Sequence, residues 1–320
     1  MKKALKIVGI ILGLLVLLFA FVALYNQVAD TPNYEVQAPD LKVQADSSRI
    51  ARGAKIVSAT CTFCHQGEGV QLDGRLLIDA PAFGVIYGAN ITQDKEAGIG
   101  AYTDGELLYL LRTGIKRNGK LAMPMMAKMP HMADEDVYSI IAYLKSNAPP
   151  VQASKQERPT PELGFVGKAL SRLAFRPLAL PEAPLPFPDT NDRVAYGKYL
   201  ATDLMECANC HSASFDTYNI VEPAQSPGYF AGGNLVEIAG KGSLLSPNIT
   251  LHPEKGIGSW DEATFIKAVK YRQRPNGTEL NPIMPDYGAY SDSEIAAVWA
   301  YLQTVPVSDN DVLLLAGQGK

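Results

Sequence analysis

The sequence predicts an all-α protein: two copies of one small helical unit, set behind an N-terminal helix long enough to cross a membrane. Three observations carry that expectation. The chain matches itself at a fixed offset, its longer segments space apolar residues as helices do, and its N-terminus holds one unbroken apolar run.

The N-terminal run comes first. Lys2, Lys3 and Lys6 form a basic flank, and residues 7–25 carry no charge. That is about the length needed to span the hydrocarbon core of a bilayer as a helix. Each Leu, Ile, Val or Phe near its centre favours insertion by about 0.3–0.6 kcal/mol, and the lysines hold the N-terminus in the cytoplasm. The run is too long for the apolar core of a cleaved signal, and no A-x-A site precedes Asp30. Residues 1–30 therefore read as an uncleaved anchor and residues 31–47 as a connector, with the remainder of the chain exported.

Next comes Cys61-Thr62-Phe63-Cys64-His65, and far along the chain Cys207-Ala208-Asn209-Cys210-His211. C-x-x-C-H is the pattern of covalent c-type haem attachment, in which both thiols form thioethers to the porphyrin and the His ligates iron. A zinc knuckle, a dithiol redox pair or two structural disulfides would also use a bare C-x-x-C. The following His argues against them. With four His in the chain, its chance placement after both pairs has a probability on the order of one in ten thousand. All four cysteines and two of the four histidines are then used, and two covalently bound haem c groups are expected on Cys61, Cys64, His65 and on Cys207, Cys210, His211.

The self-match gives the domain plan. At an offset of 158 residues, Asn90-Ile91-Thr92 falls on Asn248-Ile249-Thr250, Gly98-Ile99-Gly100 on Gly256-Ile257-Gly258, Gly119 on Gly277, and Ala142-Tyr143-Leu144 on Ala300-Tyr301-Leu302. The haem motifs are offset by 146, so the second copy carries twelve extra residues between its motif and its Asn-Ile-Thr loop. Residues 48–60 and 191–206 are the expected helices delivering each motif. Residues 104–114 and 261–271 are middle helices, with Thr103 and Ser259 near their N-caps. Residues 134–146 and 292–304 are closing helices behind acidic first turns. Strand signals are weak. The units are drawn at 48–148 and 191–307, with a proline-rich linker at 149–190 and a tail at 308–320. Proline favours extended, semi-rigid chain there, broken by an apolar stretch at 164–175 that reads equally as a short helix across both units or as a greasy patch in a connector.

A haem held by one His needs a second axial ligand to be a saturated carrier, and Met is common in that role. Met284, in Pro282-Ile283-Met284-Pro285, is the Met in the right region of the second copy, and the repeat offset lands on Met126. Met123 and Met125 remain alternatives to Met126; the other methionines read as soft packing. His131 and His252 fall on Ala289 and Asp94 in the opposite copy, so neither recurs, and both read as surface or packing histidines, although His131 in place of Met126 stays open. The Asn-Ile-Thr loops are expected to order a turn beside the haem through local side-chain bonds. Trp260 and Trp299 read as core aromatics.

Cys-x-x-Cys-His, Asn-Ile-Thr, Gly-Ile-Gly, Pro-x-Met and a closing Ala-Tyr-Leu together resemble the exported multihaem cytochrome c family, which includes the cytochrome subunits of bacterial alcohol and gluconate dehydrogenases and related diheme cytochromes. The resemblance covers both units. It implies a cytochrome c fold for each, with His65 and His211 as proximal ligands and Met126 and Met284 as distal ones, and haem attachment outside the cytoplasm. Those dehydrogenase subunits carry three haems and a C-terminal membrane helix, where this chain has two motifs and an N-terminal apolar run.

With a formal net charge of −4 there is no basic footprint for nucleic acid. The expected protein is a single-pass cytochrome of the bacterial inner membrane, haem domains on the periplasmic side, carrying single electrons between a dehydrogenase and an oxidase or soluble cytochrome. A diheme enzyme of the peroxidase or thiosulfate-oxidising type would need one iron with a replaceable ligand. A haem-based redox sensor is the third class. A Met candidate for each iron and no spare Cys favour the carrier.

Overall fold

The computed structural model describes residues 2–238 and 242–312. Helix α1 (Lys2–Val28) outlasts the expected apolar run at both ends and stands clear of the body, its large apolar side chains exposed along its length. Residues 31–47 then run extended over the first unit. The Tyr34 amide donates to the Gly119 carbonyl at 2.8 Å and the Val43 amide to the Asp104 carboxylate at 2.8 Å.

The first unit begins with α2 (Ser47–Thr60), capped by the Asp46 carboxylate on the amides of Ser48 and Arg49, and continues into the one-turn α3 (Thr62–His65). Strands β1 (Leu76–Ala80) and β2 (Gly84–Tyr87) form an antiparallel hairpin. Helix α4 (Asp104–Thr113) starts from Thr103 and Glu106 in a reciprocal capping box, and α5 (Asp134–Leu144) from Asp134, Glu135 and Asp136, which face the positive end of the helix dipole. The linker adds β3 (Glu162–Leu163), antiparallel to β2, and α6 (Phe165–Leu173).

The second unit repeats the plan. Helix α7 (Arg193–Tyr199) runs on as a π-helical turn, Leu200–Leu204, ahead of α8 (Cys207–His211). Strands β4 (Leu235–Ile238) and β5 (Gly242–Leu245) pair antiparallel, and α9 (Glu262–Tyr271) and α10 (Asp292–Leu302) complete it. In each unit the first helix lies directly on the last. A Cβ at Gly53 would sit 1.9 Å from the Ser139 carbonyl oxygen, and one at Gly197 would sit 1.8 Å from that of Ala297. These glycines are thus equivalent at an offset of 144 residues, two fewer than the offset of the Cys motifs. The π turn and Glu206, at φ 52°, take up the difference.

Several expectations need correction. The helices build both cores, but two small sheets accompany them, so an all-α description omits five strands among the described residues. Their strands are at most five residues long, too short for periodicity to separate from loop. Asp261, not Ser259, caps α9, its carboxylate accepting from the Thr264 amide at 2.8 Å. The proline-rich linker is strapped to the first unit: Arg158 Nε donates to the Asp73 carbonyl at 2.8 Å and the Leu178 amide to that of Thr113 at 3.0 Å. Helix α6 packs against the end of α1 instead of lying across both units. Of the tail, residues 313–320 lie outside the described residues.

The two units share one hydrophobic core, closed across a pseudo-dyad. Asp136 and Glu294, equivalent at the offset of 158, are the buried carboxylates of α5 and α10. Each meets one partner from its own unit and one from the other. Asp136 accepts from Arg52 and from the Tyr199 hydroxyl; Glu294 accepts from the Tyr196 hydroxyl at 3.2 Å and from Lys55 Nζ at 2.6 Å. Arg52 matches Tyr196, and Lys55 matches Tyr199, at the glycine offset. Burial pushes the Glu294 carboxyl up, but the Lys55 ammonium and the Ser291 amide outweigh it and hold the group below its usual range. That contribution is present above the ordinary carboxylate pKa and is lost as pH falls through the lowered value.

Tyr199→Phe removes one of these cross-unit bonds together with the acceptor of the Ala133 amide, 3.1 Å away. A loss of about 2–3 kcal/mol is expected, since the carboxylate is fully buried and the bond is to a charge. Guanidinium unfolding measures it; an unchanged midpoint would mean that this contact does not hold the units together.

Candidate functional site

Both C-x-x-C-H motifs lie on single helical turns at the end of the unit's first helical segment. In the first, the His65 and Cys64 amides donate back to the Cys61 carbonyl at 2.9 and 3.1 Å, which brings both thiols and the imidazole onto one turn. In the second, α8 carries Cys207, Cys210 and His211 on its one turn.

Each motif His is oriented by a backbone carbonyl. His65 Nδ1 is 2.7 Å from the Ala89 oxygen and His211 Nδ1 is 2.8 Å from that of Pro247. Ala89 and Pro247 are equivalent, each directly preceding Asn-Ile-Thr, and the loops explain why those carbonyls are fixed. Asn90 Oδ1 accepts from the Thr92 amide and hydroxyl at 2.9 and 2.7 Å, and Asn248 Oδ1 from those of Thr250 at the same distances. The Asn90 amide group reaches on to the Ser154 and Gln156 carbonyls, and that of Asn248 to Ser308 and Asn310. Local bonding by Asn and Thr is legible in the sequence. That the bonded turn serves the motif His is not, because the two lie 24 and 36 residues apart.

The residues fit haem c. A carbonyl can only accept, so Nδ1 is the protonated nitrogen of each imidazole and Nε2 carries the lone pair that a metal needs. Burial holds both imidazoles below their usual pKa, favouring that neutral form. Burial and then the neighbouring Cys64 push the Cys61 thiol up to about 12; burial and then Cys210 do the same for Cys207. Such thiols suit a buried attachment point better than a dithiol redox pair, which works through a lowered pKa. No disulfide joins any of the four. Among the described residues no three Cys, His, Asp or Glu side chains converge as a zinc site requires.

The methionine loops superpose in pattern. The Met126 amide donates to the Met123 carbonyl at 2.9 Å and the Met284 amide to that of Asn281 at 3.0 Å, the same turn at the same offset. Arg272 then holds the second loop by its Met284 and Pro285 carbonyls at 3.0 and 3.2 Å. Met126, Met284, Cys61 and Cys207 are all half-buried against the common core. Met125 is 42% exposed, whereas Met129 and Met132 are core residues. His131 is exposed with Nε2 2.7 Å from the Val221 carbonyl, a contact between the units, and His252 caps its own turn through the Glu254 and Lys255 amides. Trp299 packs tilted against Phe265 in the core, with ring centroids 5.3 Å apart, and Trp260 lies partly buried against that core.

Nothing in the sequence signals that the two motifs are neighbours. Phe63, inside the first, packs on Val236 and Ile283 of the second unit. Burial, then Glu206 and the Cys64 thiol, raise the Cys210 thiol, and Glu206 adds to burial and Cys64 at Cys61. A small polar cleft lined by Lys128, Asp203, Glu206, Asn209 and Tyr218 lies at this junction. Burial, aided by Asp203, pushes the Glu206 carboxyl up to about 7 against the bond from Asn209.

The model of the cytochrome c family matches residues 50–148 and again residues 194–306. The chain belongs to the cytochrome c family. As a diheme member it carries two covalently bound haem c groups, one for each matched region. It is similar to the fructose dehydrogenase cytochrome subunit of Gluconobacter japonicus, at 31% identity over 269 residues, 80% of this chain and 52% of that one. It is also similar to the cytochrome c subunit of the quinone alcohol dehydrogenase of Gluconacetobacter polyoxogenes, at 29% over 286 residues, 84% of this chain and 58% of that one. A diheme cytochrome c-type protein of Cereibacter sphaeroides matches at 28% over 111 residues, 32% of this chain and 33% of that one. The cytochrome thus spans a little over half the length of these two dehydrogenase subunits.

Proposed function

We propose that this cytochrome is a membrane-tethered relay that takes single electrons from a dehydrogenase on the periplasmic face of the inner membrane and delivers them to an oxidase or a soluble cytochrome. Cys61 and Cys64 would hold one haem and Cys207 and Cys210 the other, with His65 and Met126, and His211 and Met284, as axial pairs. The units are those at residues 48–148 and 191–307. When bound, haem supplies a one-electron iron couple.

One observation carries the reading: the two motifs lie within electrostatic reach of each other beside a single shared core. Electron tunnelling decays steeply with distance, so a relay needs its centres close and at fixed separation. The Asp136 and Glu294 clusters supply that rigidity, and Phe63 of the first motif packs on Val236 and Ile283 of the second unit. Two filled axial pairs leave no iron open to a substrate, as an enzyme would require. The dehydrogenase partner is suggested by the relatives, and the tether by α1, the one helix among the described residues long and apolar enough to span a bilayer.

A potentiometric titration followed by visible spectroscopy tests this. Two low-spin haems are expected, both showing the weak red-edge band of a methionine-ligated ferric iron, and neither binding carbon monoxide when reduced. One haem that lacks the band and takes carbon monoxide would make the protein a diheme enzyme instead.

A further inference from the structure

Helix α6 packs against the C-terminal end of the apolar N-terminal helix. Arg172 Nη1 donates to the Asn26 carbonyl at 3.0 Å and to its side-chain oxygen at 2.6 Å, and Nη2 to the Ala29 carbonyl and, at 3.2 Å, to that of Asp30. Lys168 Nζ donates to the Gln27 carbonyl, and the Asn26 amide returns a bond of 2.9 Å to the Phe165 carbonyl. Two cations thus sit on the last carbonyls of α1, where the helix dipole favours them. Helix α6 is therefore held at the level where α1 leaves its apolar stretch.

The face of α6 that adjoins this one is apolar and uncovered. Phe165, Val166 and Leu173 are 48%, 38% and 79% exposed, and at about 100° per residue they fall within roughly a quarter of the helix circumference. Lys168 and Arg172 border that stripe on its Phe165 side, about 60° and 20° from Phe165 around the helix. Phe83, at the β1–β2 turn, is 46% exposed and joins the same patch, because the Gly164 amide bonds the Phe83 carbonyl at 2.9 Å and the Val166 amide that of Ala82 at 3.2 Å. Arg176, exposed just past the helix, completes an apolar stripe rimmed by cations. That combination is the chemistry of a helix lying in a phospholipid headgroup layer.

We infer that α6, with Phe83, is a second membrane contact that seats the haem units on the outer surface of the bilayer crossed by α1. The inference rests on the reading of α1 as a membrane span. The occupant of the stripe is phospholipid, since the patch is continuous with the exit of α1 and any bilayer around α1 must end beside it. Held at two points, the haem units cannot swing freely on α1. Residues 31–47 and the linker around α6, both strapped to the first unit, transmit that orientation to the motifs.

The full-length holoprotein in vesicles of phosphatidylcholine and phosphatidylglycerol tests this. In the holoprotein the native cysteines are consumed by haem, so an added Cys is the sole reactive thiol for a nitroxide label. Four single variants are used: Val22→Cys in α1, Phe165→Cys and Leu173→Cys in α6, and Tyr271→Cys, 60% exposed on the second unit. Oxygen, which partitions into lipid, and a neutral nickel chelate, which stays in water, report each label's surroundings. The ratio of oxygen to nickel accessibility at 165 and 173 should exceed that at 271 severalfold and approach that at 22. A lipid-like ratio at 22 with water-like ratios at 165 and 173 overturns the inference and leaves the anchor standing. A water-like ratio at all four positions removes the anchor and the inference together. Labels at 165 and 173 shielded from both reagents would show a protein surface covering the stripe, which also overturns it.

Discussion

Replacing both Cys207 and Cys210 with alanine leaves the denatured chain with one haem in place of two. A haem held only by iron ligands and packing departs when the chain unfolds, whereas one joined by thioethers stays. The Cys61–Cys64 pair sits on its own helical turn, and its attachment needs nothing from the second motif. Haem staining of the denatured chain and the haem-to-protein ratio should both fall by half. The folded protein should suffer beyond that count, because Cys207 packs into the core shared by both units and Phe63 of the first motif rests on Val236 and Ile283 of the second. Its unfolding midpoint is expected to fall by more than the Tyr199→Phe change causes. Recovery of both haems from the unaltered protein by acid-acetone would overturn the attachment.

Met126→Ala lowers the potential of one haem and leaves the other where it was. Thioether sulfur is a soft ligand that favours ferrous over ferric iron, so its loss stabilises the oxidised state. The fall should be on the order of a few tenths of a volt, within the span of about 0.8 V that axial ligation covers. The altered haem should lose its red-edge band and bind carbon monoxide when reduced. Met125→Ala should change little, since that side chain is 42% exposed. Met123 gives the Met126 turn only its backbone carbonyl, which alanine keeps, so Met123→Ala should leave the band in place. If Met126→Ala spares both potentials while Met123→Ala or Met125→Ala lowers one, the equivalence of Met126 and Met284 does not extend to ligation.

Much of the site is legible in the order of residues. The two Cys-x-x-Cys-His motifs name their chemistry by spacing alone, because thioether attachment and iron ligation demand those side chains within one helical turn. The duplication follows from identity at a constant offset, and the pairing of Met126 with Met284 follows from the duplication. The closing helices are readable because an acidic first turn opens a run dense in apolar residues, which the fold buries on nearly every side.

Other features depend on contacts between distant parts of the chain. The hairpins of β1–β2 and β4–β5 are too short to show a period. The π turn at Leu200–Leu204 is set by the need to seat Gly197 on Ala297 while still delivering Cys207. The connectors at residues 31–47 and 149–190 look free in sequence, since many of their bonds are made by backbone amides and carbonyls, which every residue carries alike. The amino-acid order thus specifies which side chains are equipped for haem and that there are two such sets. Their lying side by side is a property of the folded chain, because that proximity comes from Asp136, Tyr199, Lys55 and Glu294 meeting across a dyad, and no local pattern encodes which buried carboxylate a distant side chain will reach.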